Sequence, residues 1–139
     1  MTAFVLDSSI TFSWFFEHEW TDAANDLLDR LETETAAVPP LWYFEVANVL
    51  AVRERQRRTT AAHVAEFVAQ LEALTIVADE EVPGRTFRRV LDLARSEHLT
   101  GYDAAYLELS MRLGVPLATK DQELGKAAER LGIQVLWAT

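Results

Sequence analysis

The sequence predicts an α/β fold, with a parallel β-sheet and helices packed over both of its faces. Three observations point there. Short apolar runs of strand length alternate along the chain with longer stretches in which apolar residues recur at spacings of three and four. The short runs are apolar throughout instead of alternating with polar residues, which is the pattern of strands covered on both sides. Strands separated by helices in this way imply βαβ units, whose crossovers join parallel neighbours. No linker rich in Gly, Ser or Pro, no low-complexity tract and no internal repeat divides the 139 residues, so residues 1–139 are read as a single domain. A chain of this length buries roughly two-thirds of its unfolded surface, enough for one core without covalent staples.

Taken in order, AFVL is a buried strand stopped by Asp7, Ser8 and Ser9, residue types that favour a helix N-cap. Residues 10–16 continue as one or two apolar helical turns. Residues 21–33 carry Ala24, Leu27, Leu28 and Leu31 on one stripe with charges between them, an amphipathic helix. Residues 36–38 form a brief strand ended by Pro39 and Pro40. These prolines start a long helix over residues 41–57, because a proline in the first turn forfeits no hydrogen bond that the helix would make. A helix over residues 61–74 has Val64, Phe67, Val68 and Leu71 on one face, and residues 76–77 are another short strand. Pro83 opens a helix containing Phe87, Val90, Leu91 and Ala94. The next helix starts at Gly101, Tyr102 and Asp103 and runs to Leu113, with Gly114 suited to its C′ position and Pro116 marking the exit. Residues 117–119 form a strand, residues 122–131 a helix ended by Gly132, and residues 133–137 the closing strand.

Against 13 Lys and Arg stand 22 Asp and Glu, a formal charge of −9 and a pI near 4.7. A chain so acidic does not coat nucleic acid by bulk electrostatics, which asks for a basic domain. Nucleic acid handled at one local site through metal ions is still compatible with it. The lack of cysteine excludes disulfide scaffolds, zinc–thiolate sites and thiol nucleophiles. Apolar runs such as SITFSWFF fall well short of the roughly 18 to 20 residues that span a bilayer, and the N-terminus lacks the basic region of a secretory signal. A soluble, cytoplasmic protein with no membrane association is expected.

Most of the acids sit where a solvated helix face puts them, and four do not. Asp7 follows the run FVL directly, and Asp121 follows LAT after one residue. Both therefore lie at carboxyl ends of predicted parallel strands, where open α/β sheets place their ligand crevice. Glu45 interrupts LWYFEVANVLAV, and Asp103 interrupts YDAAYLEL. Each alone admits an ordinary role: Asp7 and Asp121 as helix caps, Asp103 as an acid favoured by the helix dipole. Glu45 resists that treatment, because a carboxylate among Tyr43, Phe44, Val46 and Val49 is costly to bury without compensation. Four acids converging on one end of a sheet would repel and raise one another's pKa values. A divalent cation removes that repulsion. Oxygen ligands without histidine or cysteine favour a hard ion, Mg²⁺ or Mn²⁺ over zinc, and two such ions about 4 Å apart suit phosphodiester hydrolysis.

The segments FVLDSSITFSWFF, PPLWYFEVANVL and LTGYDAAYLELSMRLGVPLATKDQEL, with the final strand, resemble the PIN domain family, in particular the VapC-type toxin ribonucleases of type II toxin–antitoxin pairs. The resemblance covers nearly the whole chain. Its most specific part is the order of the acids: an Asp after the first strand, a Glu on a helix after proline, an Asp opening a late helix and an Asp in a Thr-x-Asp strand end. It implies a three-layer α/β/α domain that cleaves RNA with one or two Mg²⁺ or Mn²⁺ ions. Carried over by position, Asp7, Glu45, Asp103 and Asp121 are the catalytic and metal-binding acids. Ser9 and Thr119 orient carboxylates or water, and Asn48 supports Glu45 from the next turn. The resemblance also implies a homodimer, neutralised by a cognate antitoxin whose basic C-terminal segment covers the groove.

RERQRR at the end of the Glu45 helix complements the helix dipole, and Arg53 and Arg57, one turn apart, are candidates for RNA backbone contacts. Arg85, Arg88 and Arg89 share a face and receive the same assignment. Trp14, Phe15, Phe16, Trp20, Trp42, Tyr43 and Phe44 are read as core or dimer-interface residues. His18, His63 and His98 have no ligand spacing, and neither a strained nucleophile elbow nor a glycine-rich phosphate loop is present. Two competing readings remain. One is a catalytically silent PIN-fold module that acts through an antitoxin or RNA partner, against which the complete acid set counts. The other is a phosphoryl-accepting receiver-like domain, which needs an adjacent acidic pair where this chain has Ser8 and Ser9 after Asp7.

Overall fold

Five short strands set the frame, in a computed structural model that describes residues 1–80 and 83–139. They are β1 (Thr2–Leu6), β2 (Thr35–Val38), β3 (Ile76–Ala78), β4 (Leu117–Thr119) and β5 (Val135–Trp137), all parallel, in the order β3-β2-β1-β4-β5. Helices α1 (Ser8–Phe15) and α2 (Asp22–Arg30) join β1 to β2, with a one-turn 3₁₀ segment at Glu17–Glu19 between them. Helices α3 (Leu41–Arg55) and α4 (Ala61–Glu72) lead to β3, α5 (Pro83–Glu97) and α6 (Gly101–Leu113) to β4, and α7 (Gln122–Arg130) to β5.

The chain steps outward from β1 to β3, then crosses back to β4 on the other side of β1 and continues to β5. Right-handed crossovers therefore put α1 to α4 over one face and α5 to α7 over the other, a three-layer α/β/α arrangement. The packing agrees, since α1 lies against α2 and α3, while α6 lies against α5 and α7. Winding reverses between β1 and β4, so the carboxyl ends of those two neighbours open the crevice of the topological switch point. Phe4, Val5 and Leu6 of β1 and Leu117 and Ala118 of β4 are wholly buried, as strands covered on both faces must be.

The helices begin and end for local reasons. Thr21, Thr60 and Thr100 cap α2, α4 and α6, their hydroxyls accepting the N–H of Ala24, His63 and Asp103 at 3.0 to 3.1 Å. Gly114 closes α6 at φ 66°, as its position predicts. Helices α3 and α5 end in the same left-handed conformation without glycine, at Arg57 (φ 58°) and His98 (φ 54°). Arg58 N–H returns to Arg53 O at 2.9 Å and Leu99 N–H to Ala94 O at 3.0 Å. With no glycine to mark the turn, the sequence pattern carries the third helix to residue 57, whereas it stops at Arg55. Of the apolar residues of α5, Phe87 is 70% exposed and Leu91 39%, while Val90, Leu93 and Ala94 turn inward.

Helix α6 is tied down by an ion cluster. Glu108, 3% exposed, accepts two hydrogen bonds from Arg112 at 2.9 and 3.2 Å. Arg112 also makes a bidentate contact with Asp79, just past β3, at 3.1 and 2.6 Å. Arg89 of α5 approaches Glu108 at 3.5 Å.

Packing of α7 on β5 depends on a missing side chain. A Cβ on Gly125 would stand 2.0 Å from the Trp137 ring. Helix propensity alone makes Gly125→Ala favourable by about 1 kcal/mol. The contact reverses that sign: Gly125→Ala is expected to lower unfolding free energy by about 1 to 3 kcal/mol in urea titrations, and Trp137→Leu in the same chain to recover part of the loss. An unchanged or raised midpoint for Gly125→Ala would show that the indole moves aside freely.

Candidate active site

Asp7 leaves β1 directly beside the end of β4, its N–H bonded to Ala118 O at 3.0 Å. It occupies the N-cap position of α1, yet its side chain makes no capping bond. Instead its Oδ2 accepts from Ser9 Oγ and from Thr119 Oγ1, each at 2.7 Å. Both hydroxyls are themselves anchored, Ser9 Oγ accepting Lys120 N–H at 3.1 Å and Thr119 Oγ1 accepting Asp121 N–H at 2.9 Å. One carboxylate oxygen is thus fixed by two donors that bring no charge, and among the described residues no hydrogen bond is made to Oδ1. Asp7 is 5% exposed. Burial raises its pKa from 3.8 to about 6 against the lowering effect of the two hydroxyls, with Glu45 and Asp121 adding repulsion.

Glu45 projects from the second turn of α3 and is half-buried. Tyr106 Oη, on the wholly buried Tyr106 of α6, donates to Glu45 Oε1 at 2.5 Å and leaves Oε2 outside that bond. Burial raises the Glu45 pKa, the Tyr106 bond lowers it and repulsion from Asp103 raises it further. Asp103 sits in the first turn of α6, and its pKa also rises to about 6, through burial and then repulsion from Asp121, Asp7 and Glu123. Asp121 does act as a cap, Oδ1 accepting Leu124 N–H at 3.0 Å at the start of α7. The four acids thus come from four elements and repel one another across one crevice.

Sequence reasoning did not single out Tyr106 or Glu123. Tyr106 was accessible to it, lying one turn beyond Asp103 on the same helix face. Its pairing with Glu45 spans 61 residues and carries no local signal. Lys120, placed between Thr119 and Asp121, does not join the acids. Its Nζ donates to Ser13 Oγ at 2.6 Å and Glu19 O at 3.0 Å.

The donor set suits a hard divalent ion: oxygen only, charge-repelled and held with free carboxylate oxygens. Among the described residues no three Asp, Glu or His side chains are gathered closely enough to grip an ion by themselves. That is compatible with Mg²⁺, which keeps several waters and takes one or two carboxylates.

The basic candidates are spread more widely. Asn48 is exposed one turn past Glu45, and Arg53 lays its guanidinium over the Phe16 ring, 5.0 Å from the centroid. Arg57, Arg85 and Arg88 are exposed. Arg89 stands apart from them, half-buried against Glu108. Of the aromatic residues expected in a core or interface, Trp14, Phe15 and Trp42 are buried in the core, whereas Trp20, Tyr43 and Phe44 are 57%, 45% and 75% exposed.

The buried charge has a stability signature. Folding raises the Asp7 pKa from 3.8 to about 6, so between those values the native state binds a proton more tightly than the unfolded chain. Stability from this group is fully present below about pH 4 and is lost as pH rises through about 6, a cost on the order of 3 kcal/mol at neutral pH. Asp7→Asn keeps an acceptor for Ser9 and Thr119 and removes the charge. Its thermal midpoint in metal-free buffer at pH 7.5 is expected to exceed that of the unmutated chain by roughly 5 to 10 °C, with the gap closing toward pH 4. A midpoint equal or lower at pH 7.5 would contradict the account.

Comparison with known proteins places this geometry. In fold the chain is similar to the protein PAE2754 from Pyrobaculum aerophilum (TM-score 0.71, 23% identity, covering 97% of this chain and 84% of that one). It is also similar to VapBC2 from Rickettsia felis, solved bound to a DNA fragment from its promoter (0.66, 13%, 96% and 97%). A third similar structure is a toxin–antitoxin complex from Klebsiella pneumoniae (0.66, 15%, 99% and 100%). Compared by sequence with curated proteins, the chain has no significant match. The PIN domain family matches residues 4–130, a span that takes in all four converging acids, and the chain belongs to that family.

Proposed function

We propose that the chain is a Mg²⁺- or Mn²⁺-dependent endoribonuclease of the VapC toxin type. The observation that carries the reading is the convergence of Asp7, Glu45, Asp103 and Asp121 at the switch-point crevice, with burial and mutual repulsion raising the pKa values of Asp7, Glu45 and Asp103 and, among the described residues, no basic side chain paired with the four. A group built only for stability would be neutralised by Arg or Lys, as Glu108 is by Arg112. Membership of the PIN family and the toxin–antitoxin names among its structural relatives support the same reading.

In this proposal Asp7, Glu45, Asp103 and Asp121 hold one or two ions. When bound, the metal supplies Lewis-acid stabilisation of the phosphoryl oxygens and a lowered pKa for the attacking water. The protein's part is to fix the carboxylates. Ser9 and Thr119 hold Asp7 Oδ2 so that Oδ1 faces the crevice, and Tyr106 holds Glu45 Oε1 so that Oε2 does. Asp121, clamped at Oδ1 by the start of α7, presents Oδ2. Asn48, the half-buried Arg53 and the exposed arginines Arg57, Arg85 and Arg88 are proposed to position the RNA backbone. The remaining elements of the proposal are one domain over residues 1–139, action in the cytoplasm, a homodimer and neutralisation by an antitoxin. The crevice is acidic, which suits a basic antitoxin segment.

Purified protein is expected to cut single-stranded RNA with Mn²⁺ and not with EDTA. Asp7→Asn and Asp103→Asn are each expected to lower the rate at least 100-fold while keeping the native circular dichroism spectrum. Mn²⁺ should raise the thermal midpoint of the unmutated chain and not that of either variant. Cleavage by both variants at the unmutated rate would sink the site assignment, and a chain that neither cuts RNA nor responds to Mn²⁺ would sink the nuclease reading.

A further inference from the structure

Two cavities run together along the ends of α1 and α3 remote from the acids. The first, about 470 Å³, extends from Asn48 past Val52 to Arg53 and Arg58. The second, about 550 Å³, is walled by the same two arginines with Phe15, Phe16 and His63, and also by His18 and Glu17. Because both share Arg53 and Arg58, they form one groove. It starts one turn beyond Glu45, and Arg53 lies about 12 Å from Glu45 along the α3 axis.

Planar side chains in this groove pack against aromatic rings. The Arg53 guanidinium lies over Phe16 at 5.0 Å, the His63 ring lies 4.9 Å from Phe15 at 38°, and the His18 ring 5.8 Å from Phe16 at 37°. Phe15 is in turn backed by buried Phe67 at 4.8 Å. The left-handed turn at Arg57 explains why residues five apart share a wall, since it folds Arg58 N–H back onto Arg53 O. Among the described residues neither Arg53 nor Arg58 forms an ion pair, although the chain carries a net charge of −9. A guanidinium over Phe16 and imidazoles packed beside Phe15 and Phe16, in a groove that continues the Glu45 face of α3, match the chemistry of a nucleotide: phosphates for the arginines and a base for the planes.

We propose that this groove is a subsite for the single-stranded RNA that leaves the acidic crevice. Arg53 and Arg58 take the phosphates, and a base stacks on the wall formed by Arg53 and His63. The inference rests on the reading of the crevice as a ribonuclease site and adds to it a contact that needs no metal. A duplex does not satisfy the groove, because its bases are not free to stack.

The test is fluorescence anisotropy of the full chain with a labelled 12-nucleotide single-stranded RNA, in EDTA at pH 8 and at several salt concentrations. Arg53→Ala/Arg58→Ala is expected to raise Kd about tenfold or more and to flatten the slope of log K against log salt by about 1.4, the share of two single-strand phosphates. Arg58→Gln alone, which leaves the Arg53–Phe16 stack in place, is expected to give about half that change in slope. His63→Ala is expected to weaken binding severalfold with the slope unchanged, and Arg95→Ala, exposed on α5, to have no effect. Unchanged Kd and slope in the double variant, or no saturable binding by the unmutated chain, would overturn the subsite. So would an acidic peptide that binds more tightly than RNA and depends on the same arginines, since the groove would then belong to a protein partner. Arginine-dependent binding without any cleavage in Mn²⁺ would remove the ribonuclease reading and leave the RNA subsite standing. Cleavage with unchanged KM in the double variant would do the reverse.

Discussion

A carboxylate buried at the end of the central strand must be held by groups that do not neutralise it if it is to keep an affinity for cations. Asp7 is held in that way, by the hydroxyls of Ser9 and Thr119 on a single oxygen. Hydroxyls orient the anion and partly offset its desolvation without supplying a counter-charge. An arginine in their place would lower the pKa and satisfy the carboxylate, and the site would then be a salt bridge. The neighbouring strand shows how Lys120, set between Thr119 and Asp121, is kept away. Side chains alternate along an extended chain, so Thr119 and Asp121 face the crevice while Lys120 points to Ser13 and the 3₁₀ turn.

The second constraint is the placing of Glu45 and Asp103, which lie on helices over opposite faces of the sheet. Tyr106 joins these layers, since its ring is in the core and its hydroxyl reaches Glu45 across the end of the sheet. Helix α6 therefore contributes Asp103 directly and Glu45 through Tyr106, and any tilt of α6 would disturb both. Two turns further along, Glu108 and Arg112 fasten the same helix to Asp79 beyond β3. Breaking a largely buried ion cluster by removing one partner is costly, so the cluster fixes the axis on which half of the acid site rides. The two ends of α6 use their carboxylates oppositely, paired with arginine at one end and left unpaired at the other.

How far the site was legible in the sequence depends on whether each signal was local. Asp7 and Asp121 were marked by the apolar runs they end, and Glu45 and Asp103 by the apolar stretches they interrupt. The strand order was not legible, because crossover handedness assigns helices to faces only once the order of the strands is known. What stayed hidden was relational. The Tyr106–Glu45 and Arg112–Asp79 contacts join distant segments, and nothing in either segment alone announces its partner. The left-handed turns at Arg57 and His98 lack the glycine by which such turns are recognised. Which of the apolar residues of α5 face inward was not legible either: Phe87 and Leu91 stand at the surface while Val90, Leu93 and Ala94 take the inward side.

Helix α3 shows why an acidic chain can carry a nucleic-acid surface. Glu45 lies toward its N-terminal end and Arg53 and Arg55, which flank Glu54, toward its C-terminal end, where the helix dipole favours a net cationic turn. Dipole complementation explains why the charges are separated, and it would do so equally well with arginines dispersed in solvent. It does not explain Arg53 seated on Phe16, or Arg58 turned back to the same wall by a residue in a conformation that costs a non-glycine about 1 to 2 kcal/mol. Those features concentrate positive charge on one groove while the net charge stays negative. A strand bound there would meet attraction first at the arginines, and would approach the acids only where cations have screened them. The overall charge then acts against non-specific binding and leaves the local groove to direct the strand toward the crevice.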